Sequence, residues 1–217
     1  MQWTAVLAVK QLTDAKSRLA DGFDASARRQ LVLAMLADTI GAVLPAIAST
    51  AVLVSPDPDV LDTANQLGVQ PISEPPGGAG SINAAFALGL AAAWKVAPTA
   101  GALILQADLP SIRRTEIAAA AAAAERVLDA GAVAAFVADR NGTGTTAMFT
   151  AARAGAVAPL RFGPGSAAAH AAAGAVALSG MWPGLRSDVD TVDDLRVVAT
   201  LGVGAATAPL LAHWVPR

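Results

Sequence analysis

The chain has 217 residues, a formal net charge of −2 and no cysteine. Disulfides, zinc–thiolate sites and thiol nucleophiles are therefore excluded, and no basic field marks a nucleic-acid surface. Aromatic residues make up only 4% of the chain, too few for base-stacking platforms.

Hydrophobic residues reach 54% and the mean hydropathy is +0.51, but alanine supplies much of both. The most apolar long window, residues 40–54, contains Pro45, Ser49 and Thr50. It is shorter than the ~20 apolar residues that a spanning helix needs. No basic residue precedes the first apolar run, so no signal peptide is expected and the cytoplasm is the expected compartment. No repeat or long linker divides the chain, and one domain over residues 1–217 is expected. The segment 75–80, richest in Gly and Pro, is short enough to be a loop.

In chain order, residues 3–9 form a compact apolar run that predicts the first strand. Residues 26–44 carry Leu31, Met35 and Ile40 near helical spacing, with Ser26 as the expected N-cap. A strand over 51–54, a helix over 57–67 closed by Gly68, and a strand over 69–73 come next. The spacing of Phe86, Leu90 and Trp94 predicts a helix over 81–94. Then come a buried strand at 102–105 and an alanine-rich helix at 114–128 ending near Gly131. Strands at 133–137 and 146–149, a short helix at 166–173 and a last helix at 192–201 capped by Gly202 complete the pattern. Alternating strands and helices predict an α/β fold with a mainly parallel sheet flanked by helices. Such sheets bind ligands beyond the carboxyl ends of their strands.

The residues just past each strand are therefore the candidates for a site. Lys10, Lys16 and Arg18 lie past the first, with Asp14 the one acid among them. They suit a polyanion such as a triphosphate, or form a solvated loop. The glycine–lysine spacing of a Walker loop and the Gly-x-Gly-x-x-Gly fingerprint are both absent. Asp108 lies past the strand at 102–105, as a hard-cation ligand or as a turn residue before Pro110. Asp188 and Asp190 share one face in extended chain, and their repulsion calls for a cation between them. Otherwise they belong to the entry of the next helix. Thr191 suits the N-cap, and Asp193 and Asp194 suit the first turn as structural residues.

Residues 139–146 form a polar turn bearing Asn141-Gly142, a pair common between strands. Arg161-Phe162-Gly163-Pro164-Gly165-Ser166 opens a helix whose free N–H groups favour an anion. His170 lies four residues beyond Ser166, on the same face. A lone histidine in such a place is more often structural, and His213 carries no motif. A phosphate-monoester acceptor is already largely ionised, since its second pKa is about 6. Alignment and charge neutralisation would then suffice, without a separate base.

Lys10, Ala15-Lys16-Ser17-Arg18-Leu19, Asp108-Leu109-Pro110, Gly144-Thr145-Thr146, Arg161-Phe162-Gly163, Ser166, His170 and Asp188-Val189-Asp190-Thr191 occur in this order. Together they resemble the phosphoenolpyruvate/2-phospho-L-lactate guanylyltransferase family of coenzyme F420 biosynthesis. The resemblance spans nearly the whole chain. It implies a single-domain, Rossmann-like nucleotidyltransferase fold of the GT-A type. It also implies GMP transfer from GTP to a phosphorylated three-carbon acid, with a downstream transferase consuming the product. By the same resemblance, Asp108, Asp188 and Asp190 would bind Mg²⁺. Lys10, Lys16 and Arg18 would bind the triphosphate, with Lys16 and Arg18 acting in catalysis. Thr145 or Thr146, Gly163 and Ser166 would bind the acid, while Gly80 with the preceding glycines, and Asn83, would lie near guanine and ribose. Gly144-Thr145-Thr146 departs from the family's Gly-Thr-Asn, leaving the contacting threonine open. The resemblance links actinobacterial members to phosphoenolpyruvate and archaeal ones to 2-phospho-L-lactate. The alanine-rich composition leans toward an actinobacterial source, so phosphoenolpyruvate is the expected acid and 2-phospho-L-lactate the alternative. A different phosphorylated acceptor and a non-catalytic nucleotide sensor are the other readings. The clustered carboxylates disfavour the sensor, since binding alone does not need them.

Overall fold

The computed structural model describes residues 1–13, 16–20, 22–75, 80–151 and 160–214, without the side chains of Ser17, Ser49, His213 and Trp214. Strand β1 (Trp3–Ala8) is buried along its whole length. Helix α1 (Ala25–Val43), β2 (Ala48–Ser55), α2 (Pro58–Gln66), β3 (Gln70–Ser73) and α3 (Ile82–Val96) come after it. Next are β4 (Gly101–Leu105), α4 (Arg114–Asp129), β5 (Ala134–Ala138) and β6 (Thr145–Thr150). The chain continues through α5 (Ser166–Ala172), β7 (Val176–Ala177), α6 (Val192–Leu201) and α7 (Ala208–Trp214).

The seven strands among the described residues join one sheet in the order β3-β2-β1-β4-β6-β5-β7. β6 alone runs antiparallel to its neighbours β4 and β5, so the sheet is mainly parallel, as expected. The reversal stems from the short β5–β6 connection: Asp139 N–H donates to the Gly144 carbonyl at 3.1 Å, and Gly142 takes a left-handed φ of 74°. A tight hairpin of this kind can join only antiparallel strands.

Strand alternation divides the core between the two faces. Leu7, Leu53, Leu103, Leu105 and Phe149 point to one side, against Met35, Ile117, Leu128 and Leu195 of α1, α4 and α6. Val6, Val54, Ile104, Phe136 and Met148 point to the other, against Phe86 and Leu90 of α3 and Phe162. Gly89 lets α3 settle directly on the sheet, where an added Cβ would lie 2.7 Å from Val6 Cγ1.

Three local expectations change. Asp24, not Ser26, caps α1: its carboxylate accepts the Ala27 N–H at 2.7 Å. The carboxylate sits where the first free N–H groups point, and its charge favours the helix dipole. β7 and α7 are additions to the elements that the sequence pattern predicts. β7 is only two residues long and exposed, so it carries no apolar period. Among the described residues no helix is long and apolar enough to cross a membrane.

Candidate active site

The carboxyl ends of β1 and β4 and the segment before α6 meet around one side chain. Lys16 Nζ donates to Asp190 Oδ1 at 2.8 Å and also pairs with Asp108 Oδ2. Asp108 is fixed where the chain leaves β4: Leu109 N–H donates to Thr39 Oγ1 at 3.1 Å. Val189 N–H donates to the Asp108 carbonyl at 3.3 Å, tying the Asp188–Asp190 segment to the same loop. Thr191 caps α6, and Asp194 answers by accepting the N–H groups of Asp190 and Thr191. Asp194 is thus the structural residue expected, held below the usual carboxylate range by hydrogen bonds from Thr191 and Arg140 that outweigh its burial. Asp193 pairs with Arg196 on the exposed side.

The electrostatics are unbalanced. Three carboxylates, Asp108, Asp188 and Asp190, face the single ammonium of Lys16. Burial, then repulsion from Asp108 and Asp190, pushes the Asp188 carboxyl up to about 7. Burial alone would lower the Lys16 pKa, but attraction to Asp108 and Asp190 overcomes it and raises it above the ordinary value. Lys16 is also held at a positive φ of 54°, alone among the described non-glycine residues. A backbone of that kind costs about 1–3 kcal/mol and persists only where surrounding contacts enforce it.

Among the described residues no three acidic or histidine side chains converge on one metal-sized point. The residues nevertheless fit a hard divalent cation. Asp108 Oδ1 is buried with no hydrogen-bond partner. Mg²⁺ is commonly held by one or two carboxylates plus substrate phosphates, and does not need a closed protein cage.

A cleft of about 750 Å³ opens beside this cluster. Its lining combines Lys16, Arg18, Asp188 and Asp190 with a small polar stretch of wall, Thr145, Gly163, Gly165 and Ser166. The structure thus brings most of the sequence-derived candidates together. Lys10 is exposed beyond β1 and does not line the cleft, nor does Gly80. Residues 77–79, the rest of the expected guanine segment, lie outside the described residues.

Two candidates have other tasks. Asn83 does not line the cleft: its Nδ2 donates to the Phe162 carbonyl at 2.9 Å and its Oδ1 accepts the Phe162 N–H at 2.8 Å. Both ends of the amide are engaged in holding the Arg161–Ser166 loop against α3, which leaves little for a nucleotide. Thr146 is fully buried and donates to the Val137 carbonyl at 3.4 Å. Strand alternation turns it away from the cleft and turns Thr145 toward it, so Thr145 is the threonine positioned for a ligand.

Part of the helix terminus is already engaged. The Ser166 N–H donates to the Gly163 carbonyl and the Ala167 N–H to the Thr143 carbonyl, both at 3.1 Å. These N–H groups are engaged, so Ser166 offers its hydroxyl. Gly163 and Gly165 take φ of 131° and 71°, which a side chain would strain.

Sequence reading missed several wall and tether residues. Gln106, Arg140 and Asn141 line the cleft. Arg140 is anchored to Asp194 at 2.9 Å, and Arg140 N–H to the Arg186 carbonyl at 2.7 Å. The polar turn at 139–146 is a signal for them, but equally one for a plain connection.

The mixed sheet of this order gives the chain the fold of solved nucleotidyltransferases and nucleotide-diphospho-sugar transferases. Among solved structures, similar folds include a Desulfovibrio desulfuricans G20 chain assigned to the nucleotide-diphospho-sugar transferases. It has a TM-score of 0.69 and 16% identity, with 98% of this chain and 95% of that one covered. Another is a nucleotidyl transferase from Methanothermobacter, at a TM-score of 0.62 and 16% identity, covering 92% and 97%. The family model described as "Guanylyl transferase CofC like" matches residues 3–179. The chain belongs to that family. Its relatives include the phosphoenolpyruvate guanylyltransferase of Mycolicibacterium vanbaalenii, 46% identical over 96% of this chain and 94% of that protein. The protein of the same name from Nocardia farcinica is 47% identical over 95% and 89%.

Proposed function

We propose that this chain transfers a guanylyl group from GTP to the phosphate of phosphoenolpyruvate, with release of pyrophosphate. The observation that carries this reading is the near-full-length identity of 46–47% to proteins named for that activity. The geometry supports it, with cationic, acidic and small polar residues lining one cleft.

Lys16 and Arg18 border the space suited to a triphosphate and would neutralise its charge as pyrophosphate departs. Thr145, Ser166 and the backbone at Gly163 would hold the acid. A phosphate oxygen of phosphoenolpyruvate forms the new bond to the α-phosphorus, and the α–β bridging bond breaks with its electrons leaving on pyrophosphate. The attacking oxygen is ionised at neutral pH, so no residue need remove a proton. Asp108 and Asp190, with Asp188 beside them, would hold Mg²⁺, which supplies further neutralisation of the phosphates when bound. The product, enolpyruvoyl-2-diphospho-5′-guanosine, carries a reactive mixed diphosphate and suits consumption by a downstream transferase in coenzyme F420 biosynthesis. The cytoplasm, where GTP is available as donor, is the compartment of this reading.

The test is pyrophosphate release from GTP and Mg²⁺ with phosphoenolpyruvate or 2-phospho-L-lactate, including the downstream transferase as a trap. Release with phosphoenolpyruvate is expected. Preference for 2-phospho-L-lactate would overturn the choice of acid, and silence with both would overturn the guanylyl transfer.

A further inference from the structure

His170 is fully buried on α5, behind the small polar wall of the cleft. Its ring packs edge-on against Phe162, with centroids 5.0 Å apart and planes at 73°, and tilted at 48° against Phe136 at 5.8 Å. Both ring nitrogens are engaged. Nε2 accepts the Arg161 backbone N–H at 2.9 Å, and Nδ1 lies 2.9 Å from Thr145 Oγ1.

These contacts fix the proton positions. A backbone N–H can only donate, so Nε2 must carry its lone pair. A neutral ring then bears its proton on Nδ1, and Nδ1–H donates to Thr145 Oγ1. Burial, then the nearby Arg161 guanidinium, lowers the His170 pKa and keeps the ring neutral. With its oxygen accepting from the ring, Thr145 has its own proton left to donate, and Thr145 lines the cleft.

We propose that His170 is a positioning residue that makes the Thr145 hydroxyl an obligatory donor toward the anionic acid substrate and tethers the Arg161–Gly163 backbone beside it. This rests on the acid-binding role proposed above for Thr145, Gly163 and Ser166. One ring thereby couples the start of β6 to the loop that enters α5. It also makes the site selective for an acceptor atom at that point, because a donor group there would meet a donor.

Two substitutions separate the two bonds. In His170→Gln the amide oxygen reaches the Nε2 position and keeps the Arg161 tether while losing the donor to Thr145. In His170→Asn the amide nitrogen reaches the Nδ1 position and keeps that donor while losing the tether. Thr145→Val should raise the KM for the acid about 10-fold, the scale of one lost hydrogen bond, leaving the KM for GTP within about two-fold. His170→Gln should raise the acid KM by a similar factor, and the double variant should be no worse than about two-fold beyond either single one. His170→Asn should show the smaller rise in acid KM and the larger loss in melting temperature.

If Thr145→Val raises the acid KM and His170→Gln does not, or if the two effects multiply, the positioning role is wrong while the acid site stands. Equal rises for acid and GTP in His170→Gln would likewise reduce His170 to a packing residue. If Thr145→Val leaves the acid KM unchanged, the acid site and this inference fall together. Ring ¹⁵N shifts of the folded wild type give a readout independent of any variant. The chain has only two histidines, so assignment is direct. A protonated Nδ1 with a bare Nε2 is expected, and the opposite tautomer overturns the proposal.

Discussion

Lys16 donates to Asp190 at 2.8 Å and simultaneously pairs with Asp108, so one ammonium joins the loop after β4 to the segment before α6. It does so from a left-handed backbone at φ 54°. Removing it leaves carboxylates facing one another and deletes a cation that lines the proposed triphosphate space. Lys16→Met should lower kcat/KM by about 100-fold or more, the usual scale for a charge-stabilising donor. Lys16→Arg should not restore it, because a planar guanidinium cannot replace a compact ammonium between two carboxylates. Steady-state pyrophosphate release measures both.

Asp188 sets a pH dependence. Its folded pKa, about 7, lies above the ordinary value of 3.8. A raised folded pKa means that the stability this group contributes is fully present below its unfolded pKa and is lost as pH rises through the folded one. The loss therefore runs from about pH 4 to about pH 7 and is complete above that. Asp188→Asn should make the metal-free protein more stable than wild type above about pH 7, with the gap closing toward about pH 4. The same variant should lose Mg²⁺-dependent turnover. Added Mg²⁺ should raise the wild-type melting temperature more at about pH 8 than at about pH 5, since protons compete for the carboxylates. Denaturant titrations across that range, with and without Mg²⁺, check the sign.

Local chemistry made most of the frame legible. Long periodic segments such as α3 and α4, and the apolar run of β1, announce themselves through burial period alone. The Asp188–Thr191 segment was legible because a pair of carboxylates two residues apart needs a physical excuse. Less was visible where the tertiary partner decides the role. Thr145 and Thr146 are identical as letters, and only strand alternation relative to the cleft distinguishes them. Asn83 looks equally suited to a ribose or a backbone, and its partner Phe162 lies 79 residues away. The antiparallel entry of β6 depended on how tightly the 139–144 turn closes, which the Asn-Gly pair suggests but does not compel.

Asp57 illustrates a tether between distant segments. Its Oδ2 accepts the Leu12 N–H at 3.0 Å and the Gln11 amide at 3.2 Å, while Oδ1 accepts the Asp59 N–H at 3.0 Å to cap α2. One buried carboxylate thus fixes the chain leaving β1, on its way to Lys16, against the end of β2. Asp57→Ala removes a helix cap and leaves a buried N–H unpaired, a loss of about 2–3 kcal/mol in folding stability. It should raise the KM for GTP more than that for the acid, because the loosened segment carries Lys16 and Arg18. A denaturant midpoint shift with no change in GTP KM would show that the tether serves stability alone.

Asn83 gives the sharpest contrast between the two readings of one residue. As a nucleotide ligand its removal would weaken GTP. As the clamp seen here, holding both the N–H and the carbonyl of Phe162, its removal frees the loop that carries Gly163 and Ser166. Asn83→Ala should therefore raise the acid KM by about 10-fold, the worth of one to two hydrogen bonds, and leave the GTP KM nearly unchanged. Asn83→Asp should be worse than alanine. Its carboxylate can still accept the Phe162 N–H, but it sets a second oxygen against the Phe162 carbonyl where the amide nitrogen donated. That like-dipole contact drives the loop away instead of merely releasing it. Measuring both KM values for both variants decides the matter: a selective rise for GTP returns Asn83 to the nucleotide, and a selective rise for the acid, larger in Asp than in Ala, fixes it as the clamp.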